Sequence, residues 1–166
     1  MLNYKVQKNF LDQSFFDQFQ KLIFSNSFAW FWEEHQYMND RGFFSHTFYR
    51  HHEPSSPHYA SFIFPIVRIF KLNMISNIRA NCLIKDKKKH VSNFHCDQHF
   101  HCTTAILYMN TNNGYTLLGE KEKVKIKSEA NKIVIFDSRI KHCAVSQTDT
   151  QRRIVVNFNY LSDESF

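Results

Sequence analysis

The feature that most constrains the fold is a series of seven short, β-rich runs in the second half of the chain. Turn-forming segments such as Asn112-Asn113-Gly114, Gly119 and Asp149 separate them. Short strands at this even spacing predict an antiparallel sandwich or jelly-roll barrel. The runs comprise residues 78–84, 103–110, 115–118, 123–126, 132–136, 142–145 and 152–160.

The first half of the chain has a different, mixed pattern. Apolar residues recur at helical spacing over 11–24, with Asp12 as a start signal, and a second helix is predicted over 59–72. Two strands are predicted at 28–32 and 43–49. We therefore expect one domain over 1–166, in which 1–77 supports a β core at 78–160 and N-terminal helices pack on one sheet.

Composition limits the class of protein. Eighteen Phe against three Gly predict a core of large aromatic side chains, and the four Cys have no CxxC spacing that would indicate a zinc ribbon. Lys5 and Lys8 interrupt any apolar leader, and the longest apolar stretch, 62–70, is too short to span a bilayer. The sequence predicts a cytoplasmic protein that does not enter membranes.

Three residues indicate a metal site: His95 and Asp97, which form an HxD motif, and His142 further along the chain. Positions i and i+2 of a strand point the same way, so His95 and Asp97 can hold one ion together. Either histidine alone is better explained as a polar residue at the rim of a barrel. The ordered set of two imidazoles and one carboxylate is typical of non-haem iron(II) oxygenases, because it leaves coordination positions open.

The open positions suit a 2-oxo acid, which can chelate iron through its keto oxygen and one carboxylate and still leave room for dioxygen. The second carboxylate then requires a cation. Arg153 follows His142 by eleven residues and offers two parallel donors. Asn157 is predicted on the same strand face as Arg153, and Arg152 on the opposite face.

Four segments resemble the 2-oxoglutarate/iron(II) oxygenase superfamily, in particular its phage-encoded members and its prolyl hydroxylase branch. The segments are FHCD at 94–97, TTAILYMNTNNGYT at 103–116, NKIVIFDSRIKHCAVSQTDT at 131–150 and RRIVVNFNY at 152–160. The resemblance covers 78–160 and implies a double-stranded β-helix of the cupin-like, jelly-roll type.

The resemblance also implies roles for individual residues. His95, Asp97 and His142 match the iron(II) ligands, Arg153 matches the residue that anchors 2-oxoglutarate, and Tyr108 matches a tyrosine that bonds the same carboxylate. The implied reaction consumes dioxygen and 2-oxoglutarate, releases succinate and CO2, and hydroxylates the substrate. The prolyl hydroxylase branch implies a peptidyl proline as that substrate.

Two positions depart from the pattern. Prolyl hydroxylases carry a Tyr in the strand before HxD, where this chain has Leu83, and Asn81 on the same face is a candidate replacement. Nucleic-acid-repair members carry a second Arg six residues after the anchoring one, where this chain has Asn159. The second departure favours a protein substrate.

Two alternatives stay open. The net charge of +6 and the basic run KDKKKH at 85–90 would suit a nucleic-acid-modifying oxygenase. The other alternative is a catalytically inactive β-helix that only binds a partner. If the chain is phage-encoded, the predicted location is the host cytoplasm.

Overall fold

The computed structural model describes residues 2–34, 42–70 and 72–162, which form two antiparallel sheets and two short helices. A single π-helical turn, Tyr59–Ile63, leads into the second helix. The helices are α1 (Gln13–Phe24) and α2 (Phe64–Ile69), and the strands are β1 (Tyr4–Gln7), β2 (Phe31–Glu33), β3 (Phe43–Arg50), β4 (Glu53–Pro54), β5 (Leu72–Ile84), β6 (Thr103–Tyr108), β7 (Tyr115–Leu118), β8 (Val124–Lys127), β9 (Lys132–Asp137), β10 (His142–Val145) and β11 (Arg152–Ser162).

The larger sheet has the strand order β1-β9-β6-β11-β5-β3-β2, with β4 paired to β3. Its centre is β11, which lies antiparallel between β5 and β6. The first half of the chain adds strands at both ends, since β1 pairs with β9 and β3 pairs with β5. The inward face of β5 and β11 forms one wall of a cavity between the two sheets, with Asn81, Arg153 and Asn157 on it.

The smaller sheet has the order β10-β7-β8. Isolated bridges from Val91 to Val145 and from His95 to His142 add a fourth, irregular strand beside β10. Apart from the β7–β8 hairpin, consecutive strands of the second half therefore alternate between two facing sheets. This is the predicted double-stranded β-helix, or jelly roll.

Two apolar cores fill the molecule. The first lies between the helices and the outer face of the larger sheet, where α1 buries Phe16, Phe19 and Ile23. Asp12 begins this helix, because its carboxylate accepts a hydrogen bond from the Phe15 amide at 3.1 Å. The second core lies between the two sheets and includes Tyr108. The expectation of N-terminal helices packed on one sheet is thus confirmed.

The predicted second helix, 59–72, was wrong in its extent. A π-helical turn occupies 59–63, the α-helix ends at Ile69, and Leu72 already belongs to β5. Pro65 lies in the first turn of α2, where its missing N–H costs no helical hydrogen bond. Strand β5 begins six residues before the predicted start at 78, so the expected division after residue 77 falls inside it.

No helix in the part of the chain that the structure describes is both long and apolar enough to cross a membrane.

Asn131 ties the N-terminal segment to the β core. Its side-chain amide accepts from the Leu11 N–H at 2.9 Å and donates to the Leu11 carbonyl at 2.8 Å, and its backbone has φ 57°. Asn131→Ala should lower the free energy of unfolding by about 2–4 kcal/mol, because two buried backbone groups lose their partners. Urea denaturation measures this. Asn3→Ala, at an exposed position, should change stability by less than about 0.5 kcal/mol, and equal effects of the two changes would contradict this role.

Candidate metal centre and adjoining cavity

His95 and His142 are cross-strand neighbours at the edge of the smaller sheet. Their backbones exchange two hydrogen bonds, of 3.0 Å from the His95 N–H and 2.9 Å from the His142 N–H. The two ring centroids lie 4.6 Å apart. The ladder that joins the HxD segment to β10 therefore brings the two imidazoles together.

Asp97 completes the cluster. Its Oδ1 lies 3.7 Å from His95 Nε2 and 3.4 Å from His142 Nε2. The ligand atoms of the three residues all lie within 4.8 Å of one another, and the described residues form no other such group of three. This is the spacing expected of side chains that share one ion.

Backbone carbonyls orient both imidazoles. His95 Nδ1 lies 3.1 Å from the Asn93 carbonyl, and His142 Nδ1 lies 3.1 Å from the Ile140 carbonyl. In each ring Nδ1 is thus the donor, and Nε2 lies on the side of Asp97, where a shared ion would sit. A carbonyl on the far nitrogen is the usual way in which a metal-binding histidine is held.

The electrostatics keep Asp97 ionised. Burial by itself raises the pKa of this carboxyl, but the charges and hydrogen bond of His142, with His95 and Asn159, hold it at about 2. Burial likewise lowers the pKa of His142, but Asp97 raises it above its ordinary value on balance. Burial and the neighbouring His142 lower the pKa of His95. The site therefore offers a carboxylate ligand throughout the physiological pH range.

Arg153 lies buried on the inward face of β11. Its Nε donates to Ser128 Oγ at 3.0 Å and its Nη2 to Thr116 Oγ1 at 3.2 Å. No acidic side chain among the described residues pairs with it. The chain backbone passes close by at Gly114, where a Cβ would lie 2.8 Å from Arg153 Cδ.

Tyr108 lies beside Arg153 without reaching the cavity wall. Its ring centroid is 5.7 Å from Arg153 Cζ, and its hydroxyl donates to Thr116 Oγ1 at 2.8 Å. Burial raises the pKa of Tyr108 to about 12, despite the opposing effect of Arg153. Thr116, which does line the cavity, therefore links the tyrosine to the arginine and the cavity.

One cavity, open to solvent at its mouth, joins the three metal-site residues to Arg153. Asn157 and Asn81 line it as well, and the buried Oδ1 atom of each has no hydrogen-bond partner in the described part of the chain. Leu83 lies opposite Arg153 on β5. Of the residues predicted to bind the metal or the co-substrate, all but Tyr108 thus line the cavity.

The residues present fit iron(II) and 2-oxoglutarate. Two imidazole nitrogens and one carboxylate oxygen suit iron(II) and leave other coordination positions open. A buried guanidinium without an anion is costly, so Arg153 is set to receive a carboxylate. The two features share one cavity, as a ligand that joins metal and arginine requires.

Comparison with protein-family models and with curated proteins finds no match. Solved structures are similar over nearly the whole chain. A prolyl-4-hydroxylase from Pseudomonas putida is 10% identical in sequence, with a TM-score of 0.69. The match covers 98% of this chain and 94% of the hydroxylase chain. An oxidoreductase of the 2OG-Fe(II) oxygenase family from Burkholderia pseudomallei is 10% identical with a TM-score of 0.72, covering 95% and 85%. The fold is that of the 2-oxoglutarate/iron(II) oxygenases.

A third similar structure is a prolyl hydroxylase from Trichoplax adhaerens in complex with a hypoxia inducible factor peptide fragment. It is 15% identical in sequence, with a TM-score of 0.67. The match covers 95% of this chain and 83% of the hydroxylase chain. At these low sequence identities, the three structures show only that the fold is shared. That fold confirms the predicted jelly roll with flanking helices.

Sequence reasoning missed the supporting role of two residues beside the His-Asp-His cluster. Thr104 and Asn159 lie under Asp97, with Thr104 Oγ1 2.7 Å from Asn159 Oδ1 and 3.4 Å from Asp97 Oδ2. Alternation along β11 places Asn159 on the same face as Arg153, but its pairing with Thr104 follows from the register of β6 against β11. Arg152 faces the other way, where its Nη2 donates to the Phe24 carbonyl of α1 at 2.9 Å.

Asn159 should act as a positioning residue for Asp97. Asn159→Ala removes a hydrogen bond that holds the carboxylate, so iron(II) affinity should fall about 10- to 100-fold. Asn157→Ala, two residues earlier on the same face, should leave iron affinity within about threefold, since nothing links it to Asp97. Iron titration of the purified variants measures both. Unchanged affinity in Asn159→Ala would show that Asp97 needs no such support.

Proposed function

We propose that the chain, as a single domain over 1–166, is an iron(II)- and 2-oxoglutarate-dependent dioxygenase that hydroxylates its substrate. One observation carries the proposal: a His-Asp-His cluster and a buried arginine without an acidic partner among the described residues share one cavity. Either feature alone has a structural explanation. Their presence in one cavity of this fold favours an enzyme over an inactive binding module.

Each residue then has a defined task. His95, Asp97 and His142 would hold the iron, while Arg153 would receive the distal carboxylate of 2-oxoglutarate through its remaining donors. Thr116 and Tyr108 fix the arginine, and apolar walls nearby limit the access of water. Iron with bound 2-oxoglutarate supplies dioxygen activation and hydroxyl transfer, with succinate and CO2 as by-products.

The substrate we propose is a peptidyl proline. Two of the similar structures are prolyl hydroxylases, one of them in complex with a peptide fragment. Asn159 also supports this choice, because repair oxygenases carry a second arginine at this position. Here the Asn159 side chain accepts a hydrogen bond from Thr104 beneath Asp97. The sequence resemblance to phage-encoded members adds the proposal of a cytoplasmic location, in a host cell if the chain is phage-encoded.

A nucleic-acid substrate is the second candidate, and a basic surface favours it. Lys89 from the 85–90 run and Lys125 from β8 converge on the Tyr115 ring, at 5.1 and 4.2 Å from its centroid. Phosphate-driven binding weakens steeply with salt, whereas a peptide held in pockets weakens much less. Neutralising Lys87, Lys88 and Lys89 together would disable a nucleic-acid modifier and leave peptide hydroxylation nearly intact.

The test is succinate release from 2-oxoglutarate with peptide, oligonucleotide and metabolite pools, followed by mass spectrometry for the gain of one oxygen atom. We expect proline-containing peptides to stimulate release and to gain oxygen at proline, with activity kept at physiological salt. Stimulation by oligonucleotides alone, lost as salt rises, would replace the prolyl substrate with a nucleic acid. No turnover with any pool, despite normal binding of iron and 2-oxoglutarate, would favour the inactive binding module.

A further inference from the structure

Arg79 is a second arginine on the wall of the same cavity, and the function proposed above gives it no task. It lies on the inward face of β5, and its guanidinium carbon is 5.7 Å from the centroid of the Phe43 ring. Leu83, which faces Arg153 across the ladder, is four residues further along β5, about 13 Å at the usual rise of a strand. The two arginines therefore enter the cavity at different levels.

Arg79 has no anionic partner among the described residues. Its neighbours on the adjacent strands are Thr47 and Asn157, both neutral. Nearest to it on the cavity wall are Asn81 and Asn157, whose buried amide oxygens are also unpartnered. Buried polar atoms normally have partners, so the two amide oxygens mark a place where a polar ligand binds, beside a half-buried arginine that has no anion among the described residues.

The net charge of the filled cavity indicates the charge of the ligand that Arg79 would bind. With the proposed cofactors bound, iron(II), Arg153 and Arg79 carry four positive charges, against one negative charge on Asp97 and two on 2-oxoglutarate. Each carboxylate of 2-oxoglutarate already has a cation, the iron for one and Arg153 for the other. The positive charge that remains is that of Arg79.

We propose that Arg79, flanked by Asn81 and Asn157, binds a carboxylate of the primary substrate and so selects acidic substrates. The inference rests on the proposed function. Within the peptide class, it specifies a proline with an Asp or Glu next to it. Arg79 is then a specificity-determining residue, and the two amides accept or donate the remaining hydrogen bonds around the bound carboxylate.

The experiment compares two acetylated peptide amides that differ only in Asp or Asn beside the proline. Their dissociation constants are measured by calorimetry on protein loaded with iron(II) and 2-oxoglutarate under argon. Wild type should bind the Asp peptide about 10- to 100-fold more tightly than the Asn peptide, as expected for a hydrogen-bonded ion pair. In Arg79→Gln this preference should vanish, while the affinity for 2-oxoglutarate stays within about twofold.

Two further variants sharpen the result. Arg68→Gln removes the same charge at an exposed position of α2 and should keep the full preference. Arg79→Lys keeps a charge and loses the forked donors, so an intermediate preference is expected, and it serves if Arg79→Gln fails to fold.

The inference is overturned if wild type loaded with iron and 2-oxoglutarate shows no preference for the Asp peptide. It is equally overturned if Arg79→Gln weakens 2-oxoglutarate binding as much as peptide binding, since Arg79 would then serve the co-substrate. Failure of the wild-type protein to bind iron and 2-oxoglutarate at all would instead contradict the proposed function.

Discussion

Asp97→Ala should reduce iron(II) binding from about one ion per chain to background. The carboxylate is the only anionic ligand of the cluster, and its Oδ1 lies within 3.7 Å of both imidazole Nε2 atoms. Without it two neutral imidazoles remain, which hold iron(II) far more weakly. Anaerobic iron titration followed by elemental analysis measures the loss, and thermal unfolding shows whether the variant is folded.

Asp137 offers a matched control. It too lies beside a histidine, with Oδ2 3.3 Å from His101 Nε2, but it is paired with Arg139, and no third ligand among the described residues completes a cluster there. Asp137→Ala should therefore keep full iron binding. Wild-type iron content in Asp97→Ala, or loss of iron in Asp137→Ala alone, would refute the assignment of the ligands.

Arg153→Met should lower the affinity for 2-oxoglutarate by a factor of about 100 or more while iron affinity changes little. The guanidinium is buried and would be the distal carboxylate's only charged partner among the described residues. Arg153→Lys should also lose affinity, because a lysine lacks the two parallel donors. Calorimetric titration of iron-loaded protein measures both variants.

Arg153→Met should not destabilise the ligand-free protein, although it weakens 2-oxoglutarate binding. A buried charge without an anion is costly, so Arg153→Met should leave the melting temperature of the ligand-free protein unchanged or raise it. Adding 2-oxoglutarate with iron should stabilise wild type and not the variant. Arg152→Lys, which touches α1 instead of the cavity, should bind 2-oxoglutarate normally. Loss of binding in this control, with binding kept in Arg153→Met, would show that the wrong arginine was chosen.

Two local periodicities predicted the β-rich architecture and which side chains share a strand face. Alternation along a strand predicted that Arg153 and Asn157 share a face that Arg152 does not, and the structure has this arrangement. Turn spacing predicted strands such as β7 and β10 with their observed bounds. These patterns are local, so a single sequence contains them.

What the sequence did not predict depends on contacts between distant segments. The support of Asp97 by Thr104 and Asn159 arises from the register of β6 against β11, which no local pattern specifies. The early start of β5 is similar, because residues 72–77 become a strand only by pairing with the end of β11. Arg79 was overlooked because an isolated arginine in a strand has no motif.

Binding of 2-oxoglutarate should depend on the metal. Wild-type protein, titrated anaerobically with 2-oxoglutarate, should bind about one molecule per chain when loaded with iron(II) and far more weakly without it, because the proposed ligand joins the metal to Arg153. Asp97→Ala should abolish the effect of iron. Binding of equal strength with and without iron, or no binding to the iron-loaded protein, would contradict the account.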